Sequence, residues 1–307
     1  MNQDNNQFDD EVDLKELFSI ILNRKIFVGA FTSIAAIMSV VYSLYLPDVY
    51  TSDSLLAPTS NDESMASSLG GLSNLANLAG VSIPAGSISD SQLAVKRIQS
   101  FEFFSKYFLP NIKLEDLMAV KEWMPEKNEL IYKEDIFNNA EKKWVRNVSF
   151  PRKTIPSAQE AFKEYQKILF INQEEDTGLV YISIDHKSAY ISKEWIDVII
   201  FNINESMREI DKLDAENSIK FLSEASNKTS IQSVKLVISK LMESQMQTLM
   251  IANSNQDYVL KKINSPIVPE EKSGPFRALI CIIGTILGFI LSVITVLIQY
   301  FRTSSKN

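Results

Sequence analysis

The chain has 307 residues, of which 45% are hydrophobic and 22% are charged, and its net charge is −7. The negative charge argues against a nucleic-acid partner. Cys281 is the only cysteine, which excludes an intramolecular disulfide and a thiolate metal cage. His186 is the only histidine, and we expect it to be an ordinary surface or strand residue.

Residues 1–25 form a short tail before the first apolar run. Four apolar residues follow Asp13, a plausible N-cap, at helical spacing: Leu14, Leu17, Phe18 and Ile21. The pattern predicts a small amphipathic helix lying under a membrane. It is either a simple lead-in to the apolar run or a partner site.

Two runs, residues 26–46 and 278–301, contain no charged residue and predict transmembrane helices. The second is about 36 Å long as a helix, against a hydrocarbon core of about 30 Å. The first is predicted to stay uncleaved, because its flank is acidic and its exit, Leu46-Pro47-Asp48, offers no small-x-small cleavage site. Residues 47–277 then form one domain between two anchors.

Basic residues near the ends of the spans predict the orientation. Arg24 and Lys25 precede the first span, and Arg302 and Lys306 follow the second, whereas Arg277 alone argues for the opposite arrangement. We therefore expect a two-pass protein with both termini in the cytoplasm and the domain outside the inner membrane.

The first half of the domain predicts mixed structure. Residues 49–57 read as a strand, 67–84 as a Gly/Ser-rich flexible segment that orders against a neighbour, and 89–108 as a helix. Residues 113–148 are charged and irregular, anchored by two tryptophans, Trp123 and Trp144.

A second helix and a clear strand follow. Ser157 is a predicted N-cap with Glu160 three residues later, so a helix is expected over residues 156–170. Residues 178–185 read as a strand that starts at Gly178.

Residues 188–225 lack Pro and Gly and predict a helix about 57 Å long. Residues 226–230 break it, and residues 231–251 form a second helix, so an antiparallel helical arm is expected over about 188–251. A wet apolar stripe on such an arm favours self-assembly. The stripe residues are Ile196, Ile199, Ile203, Met207, Ile210 and Leu213.

Residues 258–268 read as a returning strand that leads into a proline segment. Pro266, Pro269 and Pro275, together with Arg277, either fix how the domain sits on the membrane or form a plain linker. In the second span, Gly284 and Gly288 lie four residues apart, which favours close packing against the first span or a neighbouring copy.

The sequence offers no case for catalysis. It contains no phosphate-binding glycine loop, no nucleophile motif and no metal-ligand spacing. We therefore expect no enzyme activity, no cofactor and no metal site.

Taken together, the layout resembles the bacterial polysaccharide co-polymerases, the chain-length determinant (Wzz-type) proteins. The resemblance covers nearly the whole chain, and the order and spacing of several local strings carry it. These strings are Leu69-Gly-Gly-Leu72 with Leu78-Ala-Gly80, Lys143-Trp-Val-Arg146, the segments starting at Pro156 and Thr177, and Pro266, Pro269 and Pro275 leading into Gly284 and Gly288.

The resemblance implies an α+β periplasmic domain with a long extended helical hairpin, flanked by two transmembrane helices. It also implies ring-like homo-oligomers that set the length distribution of O-antigen or a related lipid-linked glycan with a Wzy-type polymerase, without catalysing the linkage. A membrane-anchored scaffold or adaptor for capsule or exopolysaccharide export is the alternative, and a periplasmic sensor is disfavoured.

Overall fold

The structure is a computed structural model that describes residues 22–59, 89–254 and 257–304. The predicted amphipathic helix of the tail and the Gly/Ser-rich segment lie outside the described residues. The described residues divide into two compact units, one formed by residues 22–48 and 273–304 and the other by residues 49–59, 89–254 and 257–272.

The first unit contains two apolar helices, α1 (Lys25–Tyr45) and the last helix of the chain, α8 (Arg277–Ser304). Both are long and apolar enough to cross a membrane. Both helices also expose most of their apolar side chains, which is typical of helices that face lipid.

The second unit is built on a four-stranded antiparallel sheet in the order β6-β7-β1-β8. Its strands are β1 (Tyr50–Pro58), β6 (Leu169–Gln173), β7 (Val180–His186) and β8 (Leu260–Asn264). β8 is shorter than the predicted strand over 258–268, because Pro266 has no N–H to donate to a ladder.

Alternation along β1 sets the face of the sheet that is buried. Ser52, Ser54 and Leu56 are buried, and the residues between them are half-buried. Opposite Leu56 on β7 lies Val180, and opposite Ser54 lies Ile182. Both partners are buried, so one face of the sheet forms the floor of the core.

The predicted helix over residues 89–108 is interrupted. It consists of α2 (Asp90–Ile98), one turn of helix α3 (Phe101–Phe103), a π-helical turn (Phe104–Phe108) and a 3₁₀ turn (Leu109–Asn111). Two serine caps explain the interruption. Ser89 caps α2 in a capping box with Gln92, and Ser100 accepts a hydrogen bond from the Phe103 N–H, which starts a new helix.

The segment expected to be irregular, residues 113–148, contains one short helix and two small hairpins. α4 (Leu114–Met118) precedes the pair β2 (Val120–Met124) and β3 (Glu129–Tyr132), and β4 (Phe137–Asn138) pairs with β5 (Lys143–Trp144). Both turns use a residue with positive φ, Asn128 and Lys142.

Helix α5 (Ala158–Ile168) begins where the sequence predicts it. The Ser157 hydroxyl accepts a hydrogen bond from the Glu160 N–H at 3.2 Å. The Glu160 side chain instead binds the Arg146 guanidinium at 2.7 Å, which lowers the pKa of that carboxyl.

The domain is dominated by a helical hairpin. α6 (Ala189–Lys228) has 40 residues and is about 60 Å long, and α7 (Gln232–Ser254) packs against it. The predicted arm is therefore confirmed as a long hairpin, with its break at residues 229–231. The α+β domain with this hairpin, between two apolar helices, is the fold predicted from the sequence.

One hydrophobic core joins the first half of α6 to the sheet and to the aromatic turns of the interrupted helix. Trp195 packs edge-on against Phe108 at 5.6 Å, and Phe108 lies 4.8 Å from Tyr165 of α5. The Tyr165 hydroxyl donates to the Ile98 carbonyl at 3.0 Å, so this fully buried phenol keeps a partner.

Candidate assembly surface and helix-pair contacts

The predicted stripe on the long helix divides into two parts. Ile196, Ile199, Ile203 and Met207 are fully buried in the core of the domain, whereas Ile210 is half-buried and Leu213 is 58% exposed. The first four residues cover the sheet of their own chain, so they are not available to another copy. This burial narrows the predicted assembly stripe to the part of α6 beyond Met207.

Asn204, which the sequence analysis did not single out, connects α6 to β8. Its Oδ1 accepts hydrogen bonds from the N–H groups of Tyr258, Val259 and Leu260 at 3.1, 2.8 and 3.0 Å. Its Nδ2 donates to the carbonyls of Leu260 and Ile200 at 2.9 and 3.0 Å. An asparagine beside the apolar stripe of a predicted helix is a sequence signal that could have identified Asn204, because a buried amide needs hydrogen-bond partners.

Polar contacts surround α6 where it leaves the core. Tyr107 donates to the Glu209 carboxylate at 2.8 Å, and Arg97 donates to the Ser206 hydroxyl at 2.6 Å. Tyr258 donates to Asp211 at 2.8 Å; burial is the main cause that raises the pKa of the Asp211 carboxyl. We call Ser206, Glu209 and Asp211 with these partners the collar.

Beyond the collar, few apolar side chains of the hairpin are buried. Ala215, Ile238 and Thr248 are the buried residues of this part of the described hairpin, whereas Ala252 of α7 belongs to the core of the domain. Several large apolar side chains remain exposed, among them Leu213, Phe221, Leu236, Met246 and Met250, with Phe221 and Met250 70% exposed. A helical hairpin with this much wet apolar surface is typical of a surface that meets another protein.

In the helix pair, the two predicted glycines lie at the contact between α1 and α8. A Cβ built on Gly284 would meet the Cβ of Ser39 at 2.4 Å, and one on Gly288 would meet the Cβ of Ala35 at 2.3 Å. Since no real Cβ atoms approach so closely, the two helices depend on glycine here. The structure therefore places this motif against the first apolar helix of the same chain.

Two polar contacts mark the ends of the same pair. Arg277 forms an ion pair with Asp48 at 2.9 Å, and Arg24 donates to the Gln299 side chain, also at 2.9 Å. The helices therefore run antiparallel. Arg277 binds Asp48, which lies in the segment just after α1. This contact gives Arg277 a structural role that is separate from its use in predicting orientation.

The proline segment follows the sheet without extending its ladder. Pro266 is buried and Pro269 and Pro275 are half-buried. Serine side chains of β1 contact the chain at this point: Ser52 donates to the Ile267 carbonyl of the segment at 2.7 Å, and Ser54 donates to the carbonyl of Asn264, the last residue of β8, at 2.5 Å.

His186 is the last residue of β7 and is buried, whereas the sequence analysis left open a surface position. Its Nδ1 accepts from the Ser188 N–H at 3.0 Å, so the proton lies on Nε2, which donates to the Asp116 carbonyl at 3.0 Å. Burial lowers the pKa of this ring to about 4. The neutral ring closes the junction of β7 and α6, next to Trp195.

The described residues contain no group of three or more His, Cys, Asp or Glu side chains that could hold a metal ion. Within the part of the chain that the structure describes, the exposed hairpin beyond the collar and the helix pair with its small-residue contact are two surfaces that another molecule can reach.

Residues 10–108 match a family model described as Wzz, chain length determinant protein. The resemblance predicted from the sequence is thereby confirmed over this part of the chain. Comparison with curated proteins finds no match.

Two solved structures are similar to the chain. The first, "full-length bacterial polysaccharide co-polymerase", is 12% identical, with 95% of this chain and 99% of the other covered and a TM-score of 0.40. The second, "Fragment of WzzB, Polysaccharide Co-polymerase from Salmonella Typhimurium", is 13% identical, with 74% of this chain and 100% of the other covered and a TM-score of 0.32.

Proposed function

We propose that this protein is a non-catalytic regulator of polysaccharide chain length in a bacterial inner membrane. The observation that carries the proposal is the match of residues 10–108 to the chain length determinant family. The two apolar helices support a two-pass protein, with both termini in the cytoplasm and the α+β domain in the periplasm. The polymer is O-antigen of lipopolysaccharide, made by a Wzy-type polymerase.

The regulator acts as a ring-like homo-oligomer. The exposed apolar side chains of the hairpin beyond the collar support this part of the proposal, because a monomer would leave them in water. Leu213, Phe221 and Met250 are the residues that we assign to contacts between copies. Because closed rings use heterologous contacts, a different surface of the neighbouring copy receives them.

Repeated weak contacts explain how such a ring could measure length. A growing lipid-linked glycan that touches one copy is held at high effective concentration near the next, so retention depends on how many copies the polymer spans. In this scheme the hairpins bind the polymer or the polymerase weakly, and no copy forms or breaks a glycosidic bond.

A silver-stained lipopolysaccharide ladder tests the proposal. Cells that lack the gene should lose a banded cluster of long chains and give a random ladder weighted to short chains, and the gene restored in trans should bring the cluster back. An unchanged ladder contradicts the assignment to O-antigen, and capsule or a common antigen should then be sized in the same way. Polymer that accumulates inside and never reaches the surface would instead identify an export adaptor.

A further inference from the structure

The helix pair contains an open cleft that the packing at Gly284 and Gly288 does not use. Its volume is about 490 Å³, within the range of ligand sites in proteins. α1 contributes Lys25, Val28, Gly29 and Thr32 to its walls, and α8 contributes Thr285 and Phe289. Lys25, Gly29 and Thr32 follow one another at helical spacing, so they line one continuous strip of α1.

Gly29 faces open space in the cleft. A Cβ built on Gly29 meets nothing within 4 Å, whereas one built on Gly284 or Gly288 collides with α1. Gly29 is therefore not needed for contact between the helices. The space in front of it is free to hold another molecule, and its walls at Val28 and Phe289 are apolar.

The mouth of the cleft is positively charged. Lys25 is exposed at this end of α1, Arg24 lies beside it, and Arg302 is exposed at the same end of the antiparallel pair. The sequence over residues 22–36 and 285–304 contains no Asp or Glu. An anion at the mouth is thus attracted directly by Lys25, which lines the cleft, and less strongly by Arg24 and Arg302, which do not line it, and it is repelled by no carboxylate of these segments.

Thr32 adds a polar group deeper in the cleft. Its Oγ1 is buried and has no hydrogen-bond partner in the part of the chain that the structure describes. Seven residues separate it from Lys25, which is about 10 Å along the helix axis. Because the four-carbon stem of Lys25 covers part of that distance, a ligand that fits both positions carries an anion near the mouth, a hydrogen-bond acceptor a few bonds below it, and an apolar tail beyond.

We propose that this cleft binds an anionic glycerophospholipid. The phosphate lies against the Lys25 ammonium, an ester oxygen accepts from the Thr32 hydroxyl after rotation of that side chain, and one acyl chain fills the space in front of Gly29. Charged clefts between membrane helices bind acidic lipids by the same combination of forces. This inference requires α1 and α8 to span a bilayer, and it does not require the protein to regulate polysaccharide length.

Native mass spectrometry of the full chain, released from detergent, tests the proposal. Dioleoyl phosphatidylglycerol and dioleoyl phosphatidylcholine are compared, because they share acyl chains and differ in net charge. The wild-type chain should retain phosphatidylglycerol preferentially. Lys25→Gln should lower that retention about fivefold, while Arg302→Gln, which removes the same charge without lining the cleft, should change it by less than about twofold.

Gly29→Leu is the second variant, because it fills the cleft and leaves the contact at Gly284 intact. It should lower the retention of both lipids, with unchanged helix content by circular dichroism. Equal retention of both lipids by the wild-type chain would overturn the proposal, as would equal losses in Lys25→Gln and Arg302→Gln. If Gly29→Leu changes the number of copies in the complex and leaves lipid retention unchanged, the cleft receives a helix of another copy and the proposal is wrong.

Discussion

Asn204 and Leu260 are joined by a pair of hydrogen bonds in which each residue both donates and accepts. The Leu260 N–H donates to Asn204 Oδ1 at 3.0 Å, and Asn204 Nδ2 donates to the Leu260 carbonyl at 2.9 Å. The side-chain amide of Asn204 thus makes the two backbone hydrogen bonds that a neighbouring β-strand would otherwise make. It fixes the start of β8 against the long helix, at the point where the chain returns from the hairpin.

Replacing this amide should destabilise the domain strongly. Asn204→Ala leaves the buried N–H groups of Tyr258, Val259 and Leu260 without their acceptor, and we expect a loss of about 3–5 kcal/mol in the free energy of unfolding. Thermal unfolding of the full chain in detergent, followed by circular dichroism, measures it. Asn202→Ala is the matched control, since the Asn202 amide donates to the Val198 carbonyl of its own helix. Equal melting temperatures for the two variants would contradict this role.

Gly284 should tolerate no side chain. Gly284→Leu is expected to separate α1 from α8, because even a Cβ at this position would lie 2.4 Å from that of Ser39. The readout is the yield of a cross-link formed by a short bis-maleimide between cysteines placed at Arg24 and Gln299, whose long side chains meet in a hydrogen bond, with Cys281 replaced by serine. Gly29→Ala, where a Cβ meets nothing, should leave the yield unchanged. A high yield in Gly284→Leu would show that the helices pack by other contacts.

Mild acid should weaken the domain through His186. Burial lowers the pKa of this ring to about 4 from an ordinary 6.5, so the unfolded chain binds the proton more tightly than the folded one. Its contribution to stability is complete above about pH 6.5 and is lost as the pH falls toward 4. Between pH 7.5 and pH 5 we expect a loss of about 2 kcal/mol.

Denaturant unfolding of the wild-type chain and of His186→Gln at the two pH values checks this expectation. The variant should be less stable at pH 7.5 and should lose most of the difference between the two conditions. Asp116 and Asp211 act in the opposite direction, because burial raises the pKa of both carboxyls. A pH dependence that is identical in both chains would assign the effect to other groups.

The exposed hairpin should carry the contacts between copies. Phe221→Glu places a charge where we propose an apolar contact, so the oligomer should dissociate into smaller species while the unfolding temperature changes little. Light scattering of the detergent-solubilised chain gives the mass, and the lipopolysaccharide ladder gives the functional result. Asn217→Glu adds the same charge at an exposed polar position of the same helix and should keep the oligomer. An intact oligomer in Phe221→Glu would remove this part of the hairpin from the interface.

Local sequence patterns predict some parts of the fold. Two features of the helix pair and one feature of the long helix are examples. The apolar runs and the Gly284–Gly288 spacing are local patterns, and they predict two apolar helices with a small-residue contact. The absence of Pro and Gly over residues 188–225 likewise predicts a helix that the structure extends to Lys228. The Ser157 cap was correctly predicted, but Glu160 binds Arg146 because a guanidinium brought near by tertiary folding competes with the backbone N–H.

Periodicity determined that residues 196–213 form one apolar stripe on a helix, because side chains three and four residues apart share a face whatever covers them. What covers the stripe depends on the elements that folding brings against it. The sheet buries it as far as Met207, and beyond the collar Leu213 is left to solvent, since α7 shields only a narrow strip of α6. The same holds for Asn204 and His186. Their hydrogen-bond partners, Leu260 and Asp116, lie 56 and 70 residues away in the chain, so folding is needed to bring each pair together.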